Sequence, residues 1–173
     1  MRYVLILMAC FIVSTPARAG HTLSPAEQQV LKNWLALHPE YRQAIDEDCE
    51  CAADIQQVRA GSGGIWKPVP DYHPYTATGD FNGDRVEDFA VVLIDRRKRE
   101  KNFALVVFNG PFKSPNPPPA FTESGFELQN QGLFYGPPRP KPYRLLLGRF
   151  ESDSGALLLP HGHGYRWDEG ERE

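Results

Sequence analysis

Apolar residues recur at helical spacing in the first third of the chain and gather into near-continuous runs beyond it. Val30, Leu31, Trp34 and Leu35 form an i, i+3, i+4 stripe. Ser24-Pro25-Ala26-Glu27 just before it is a capping box with proline at the first helical position. Pro39 ends that helix and is expected to start a second one, with Tyr41, Ala44 and Ile45 as its short apolar face. Ala52, Ile55 and Val58 predict a third helical face, and Gly61 is its natural C-cap. The helical segment, residues 20–64, closes on the break Gly61-Ser62-Gly63-Gly64.

Residues 65–173 read as β-rich. Tyr75 to Thr78 is a short strand, and Phe89–Ile94 and Phe103–Phe108 are almost wholly apolar, the pattern of central strands covered on both faces. Asp95 to Asn102 between them is a hairpin loop. Residues 110–142 hold nine prolines and four glycines among 33 residues and are expected to form a long irregular loop. Tyr143–Leu147 and Ala156–Leu159 are two further strands, and a charged tail follows Trp167. Short connections make the sheet antiparallel. The expected fold is α+β, one domain with N-terminal helices packed on one face of an antiparallel sheet of about five strands.

Length and composition fit this picture. The chain has 173 residues, 41% hydrophobic and 24% charged, which suits one globular domain. The N-terminus looks processed. Met1-Arg2, an apolar run from Tyr3 to Val13 and Ala17-Arg18-Ala19 compose a signal peptide, residues 1–19, cleaved after Ala19. The run is shorter than the roughly 20 residues that a membrane span needs. Leu7-Met8-Ala9-Cys10 resembles a lipoprotein box, but cleavage there leaves little room for the apolar region. The expected location is periplasmic or secreted. Losing Arg2 and Arg18 leaves 17 basic against 22 acidic residues, a net charge of −5, which argues against nucleic acid as partner. Nothing after the leader is apolar enough for a membrane span.

Two cysteines remain after the leader, Cys49 and Cys51, among Asp46, Glu47, Asp48 and Glu50. In an oxidising compartment they are expected to pair as a staple at a helix boundary. Intermolecular disulfides and a redox or metal role are the competing readings, and neighbouring carboxylates oppose a reactive thiolate.

The chemistry-bearing stretch is Gly79-Asp80-Phe81-Asn82-Gly83-Asp84-Arg85-Val86-Glu87-Asp88-Phe89. Side-chain oxygens fall at alternate positions, Asp80, Asn82 and Asp84, then at Asp88, and the Val86 carbonyl can add another. Calcium takes six to eight oxygens, with water completing the shell. Val91 stands where an EF-hand needs its bidentate glutamate, so the loop is not of that type. The other reading of these residues is an Asn-Gly turn in a hairpin with solvated carboxylates.

Gly79, Asp80, Asn82, Gly83, Asp84, Asp88 and the apolar strand after them resemble the calcium loop of FG-GAP/VCBS-type repeats, the repeat of integrin alpha propeller blades. The resemblance covers residues 79–91 in a single copy and implies a Ca²⁺ ligand set of Asp80, Asn82, Asp84, Val86 and Asp88. Arg85 departs from it, standing where the family prefers glycine. Gly148 to Asp153 is only a faint echo, so a propeller is excluded.

Other constellations are weaker. Arg96, Arg97, Lys98, Arg99 and Lys101 make a basic loop, read as a solvated hairpin tip or as a contact for an anionic partner. His161 and His163 are half of a metal site at most, and His73 reads as a loop residue. Trp66, Tyr72 and Tyr75 read as packing aromatics rather than a groove. No local signature of nucleophilic catalysis occurs. The expected function is that of an exported non-enzymatic binding protein with one structural calcium site, acting on a protein or a cell-envelope polymer, with an inhibitor or immunity protein as a variant of this reading. The alternative is a small metal-dependent envelope hydrolase, with the acidic loop as its catalytic centre beside a pocket.

Overall fold

The computed structural model describes residues 21–62, 67–135, 145–150, 152 and 154–168. The leader, Cys10, Trp66, the end of the proline-rich segment, both acids of the faint echo and the charged tail beyond Asp168 lie outside these residues.

Helix α1 spans Pro25–Leu37 and starts on the expected capping box. The Ser24 N–H donates to Glu27 Oε2 at 2.6 Å, and Ser24 Oγ accepts from the Glu27 N–H at 3.5 Å. Helix α2 spans Ala52–Ala60 and ends on Gly61, left-handed at φ 66°. Between the helices a 3-10 turn, Asp46–Cys49, leads through left-handed Glu50 into Cys51. Cys49 and Cys51 form the expected disulfide, with Cα atoms 5.1 Å apart.

Pro39 starts no helix. Tyr41–Gln43 is a strand, β1, and Ala44 is buried while Ile45 is 53% exposed, so these residues share no helical face. Pairing against an open sheet edge overrides the local spacing: Tyr41 lies opposite Asp95 and Gln43 opposite Leu93.

Among the described residues nine strands form two antiparallel sheets rather than one of about five strands. The first contains β1, β2 (Thr76–Gly79), β3 (Asp88–Asp95), β4 (Phe103–Phe108) and β5 (Phe121–Phe126). Its order is β1-β3-β4-β5, with β2 beside β1 along the same edge of β3. The second is a meander of β6 (Gln131–Tyr135), β7 (Leu145–Arg149), β8 (Gly155–His161) and β9 (Gly164–Trp167). The segment 110–142 is therefore not one irregular loop, since β5 and β6 lie within it.

Every residue of β3 and β4 is buried, as continuous apolar runs require. Phe89, Val91, Leu93, Val106 and Phe108 face α1, whose Val30 and Leu31 cover them. Val92, Leu105 and Val107 face the other way, onto Leu133, Leu145, Leu147 and Leu158 of the second sheet and onto Ile55 and Val58 of α2. The two helices thus lie on opposite sides of the first sheet, not together on one face. Each large apolar side chain so buried contributes about 1.5–3 kcal/mol.

The sheets are tied at both edges. The Leu133 N–H donates to the Pro74 carbonyl at 2.6 Å beside β2. On the far side the Trp167 ring packs on Phe121 and Phe126, and its Nε1–H donates to Glu123 at 2.7 Å.

Candidate functional site

The acidic loop connects β2 to β3, and its side chains fold back onto its own backbone. Asp80 accepts from the Gly83 N–H at 2.6 Å and the Arg85 N–H at 2.9 Å. Asn82 Oδ1 accepts from the Asp84 N–H at 2.8 Å, and Asp84 Oδ1 from the Val86 N–H at 2.7 Å. Alternate side chains at 80, 82 and 84 thus turn over one stretch of chain. The turn needs left-handed backbone at Gly83 (φ 85°) and at Arg85 (φ 70°). Glycine adopts that region freely, whereas other residues are strained there by about 1–2 kcal/mol. Arg85→Gly is expected to raise stability by about 0.5–1 kcal/mol, since part of the relief is lost to the greater freedom of glycine in the unfolded chain. A higher urea midpoint would show it.

Asp88 has a different job. It opens β3 on the side facing the second sheet and is fully buried. The Phe81 N–H donates to its Oδ2 at 3.0 Å and the Gly110 N–H to its Oδ1 at 3.0 Å. The Tyr165 hydroxyl, bonded to Asn109 Oδ1 at 2.7 Å, lies 3.4 Å from Oδ2. Burial first, then the charges of Asp84 and Asp80, push the Asp88 carboxyl up to about 7, against the bonds from Gly110 and Phe81. The loop is pinned once more at its start, where the Tyr135 hydroxyl donates to the Asp80 carbonyl at 3.2 Å. Gly79 lies so close under the Tyr135 ring that a Cβ there would collide with it.

The donor set is all oxygen, which suits a hard cation. An ionised carboxylate has about four acceptor positions, so Asp80 and Asp84 keep lone pairs beyond their bonds to the loop amides. The arrangement as it stands is not a closed cage: among the described residues no group of three His, Cys, Asp or Glu side chains is placed to hold a metal. Asp80, Asn82 and Asp84 fit a cation by chemistry, whereas Asp88 serves first as the anchor between loop, Gly110 and β9.

A separate cleft of about 700 Å³ opens between α1, β1 and the 3-10 turn, with Leu31, Leu35, Ile45, Glu47, His73 and Tyr75 among its walls. None of the five loop residues lines it. His73, read from sequence as a loop residue, bonds Asp46 at 2.9 Å, and Arg59 bonds the other oxygen of that carboxylate at 2.6 Å. Tyr72 and Tyr75 are core residues. His161 closes β8, and His163 sits in the exposed turn that follows.

In the basic loop, Arg97 is held by Asp95 through two bonds of 2.9 Å, which lower the Asp95 carboxyl to about 2. Arg96, Lys98, Arg99 and Lys101 are exposed.

Sequence reasoning located the loop residues because they are neighbours in the chain. It missed Gly110, Asn109 and Tyr165 as partners of Asp88, and it missed the cleft, whose walls come from three separate segments. No protein-family model matches this chain, and neither curated proteins nor solved structures yield a match.

Proposed function

We propose that the chain is an exported, non-enzymatic binding protein, of inhibitor or immunity type, whose acidic loop holds one structural Ca²⁺. The side chains of Asp80, Asn82, Asp84 and Asp88 and the carbonyl of Val86 would hold it, water completing the shell. The observation that carries this reading is the inward fold of Asp80, Asn82 and Asp84 over a loop built on two left-handed residues. A bound dication offsets the mutual repulsion of these carboxylates.

Two features favour a structural over a catalytic ion. Asp88 fastens the loop to Gly110, two residues past β4, and to β9, so the ion's effect passes into the sheets. The described cleft is lined by other residues, whereas a metal-dependent hydrolase needs its pocket beside the metal. The disulfide suits an oxidising compartment. A protein or a cell-envelope polymer is the partner this reading expects. Among the described residues no helix is long and apolar enough to cross a membrane.

Thermal unfolding with EDTA, then with millimolar Ca²⁺ and with Mg²⁺ as control, tests the ion. Calcium at about 100 times its Kd adds roughly 2.7 kcal/mol and raises the midpoint by several degrees. Asp84→Ala is expected to abolish the rise while the fold survives. An equal midpoint in EDTA and Ca²⁺ would leave the loop as a self-bonded turn.

A further inference from the structure

One end of the molecule has a charge opposite to the rest. Residues 96–101 contain five basic residues and one acid, +4, in a chain of formal net charge −3, so the remainder stands at −7. The tip has a fixed shape. The Asp95 N–H donates to the Asn102 carbonyl at 2.7 Å, the Lys98 N–H to the Asp95 carbonyl at 3.1 Å, and the Arg96 N–H to the Glu40 carbonyl at 2.9 Å. Arg97 is spent on Asp95, which leaves Arg96, Lys98, Arg99 and Lys101 directed to solvent. Two acids oppose them: Glu100 within the tip, and Glu40, which lies 3.8 Å from His38.

The same end carries an apolar group. Leu37 is 66% exposed, one of two exposed large hydrophobics among the described residues. It lies three residues before Glu40, whose carbonyl binds the Arg96 amide at the base of the tip, so the chain holds it within about 11 Å of Glu40.

We propose that this end, with Arg96, Lys98, Arg99, Lys101 and Leu37, docks onto an anionic phospholipid surface. The proposal rests on reading the chain as an exported binding protein, and it does not need the calcium loop. The chemistry selects the partner. Residues 96–101 contain no aromatic side chain, so they offer no platform for nucleic-acid bases. Of the large apolar anchors at which a protein interface concentrates its affinity, this end exposes only Leu37. A lipid surface asks only for clustered cations, each worth about a fivefold gain in binding, and a small apolar group at the headgroup level. The negative charge of the remaining surface keeps the body away from the membrane and so orients the molecule tip-first.

The test is co-sedimentation with vesicles of phosphatidylcholine containing phosphatidylglycerol against phosphatidylcholine alone. EDTA is present throughout, so that calcium cannot bridge protein to lipid. The protein is expected to sediment with the anionic vesicles only, and to be released between about 0.1 M and 1 M salt as the Debye length falls from roughly 10 Å to 3 Å. Lys98→Ala with Arg99→Ala should weaken binding about 25-fold without moving the thermal midpoint, since both side chains are exposed. Leu37→Ala should weaken it less. Equal binding to neutral vesicles, insensitivity to salt, or wild-type binding by the double variant would overturn the proposal. So would poly-L-glutamate binding as tightly as the vesicles, which would assign the tip to an acidic protein. Vesicle binding in EDTA alongside a failed calcium response would remove the calcium reading and leave this one standing.

Discussion

Asp88→Ala should lower stability by about 2–3 kcal/mol, seen as a lower urea midpoint with an unchanged slope. The substitution strands the buried amide of Phe81 and the half-buried amide of Gly110, which donate to this carboxylate and to nothing else described. Each buried donor left without a partner costs about 1–3 kcal/mol. Tyr165 is spared because its hydroxyl keeps Asn109. Asp88→Asn should cost less, since the amide oxygen serves one donor, although its NH₂ group then faces the other.

The pH dependence separates both variants from the wild type. Folding raises the Asp88 carboxyl from 3.8 to about 7, chiefly through burial. Between those values the folded state keeps a proton that the unfolded chain has released, so stability falls as pH rises. This contribution is fully present below about 4 and is lost as pH climbs through about 7. Asp88→Asn should abolish that slope. In the wild type, Ca²⁺ should flatten it, because the cation takes the place of the proton beside Asp84 and Asp80. A slope unchanged in Asp88→Asn would show that another group governs it.

How much of this was legible in the sequence depends on how local each determinant is. The capping box, the Gly61 cap and the acidic loop lie within a few residues of themselves, and all three are where the sequence places them. Central strands β3 and β4 were readable because burial on both faces leaves no polar alternation to confuse with a helix. Strand β5, Phe-Thr-Glu-Ser-Gly-Phe, is mostly polar and follows Pro117-Pro118-Pro119, so nothing in its composition announces a strand. It exists because β4 offers an unpaired edge, along which Val107 meets Phe121 and Leu105 meets Glu123. Strand β1 is the same case at the opposite edge, where pairing with β3 converts an apparent helical face into three extended residues. At the site, the loop's own hydrogen bonds were implicit in the Asp-x-Asn-x-Asp spacing. The Asp88 to Tyr165 contact joins residues 77 apart, through a second sheet that the sequence did not suggest.

Phe89→Ala, next to Asp88 but on the opposite face of β3, separates stability from ion binding. Its ring stacks on Phe108 at 4.8 Å and meets Phe112 edge-on at 5.3 Å, beneath α1. Removing a fully buried phenylalanine costs about 3–5 kcal/mol, because the lost transfer energy is joined by a cavity that its neighbours only partly fill. That is a large share of the 5–15 kcal/mol typical of a domain, so the variant should melt well below the wild type. Its response to Ca²⁺ should survive. Asp80, Asn82 and Asp84 are held by the amides of their own loop, and Asp88 by Phe81 and Gly110 on the side facing β9. None of these bonds uses the Phe89 side chain. The calcium-induced rise, converted to free energy, should therefore match that of the wild type. A rise lost together with the ring would mean that the packing of α1 on the sheet shapes the loop, and the site would then be a property of the whole domain rather than of the turn between β2 and β3.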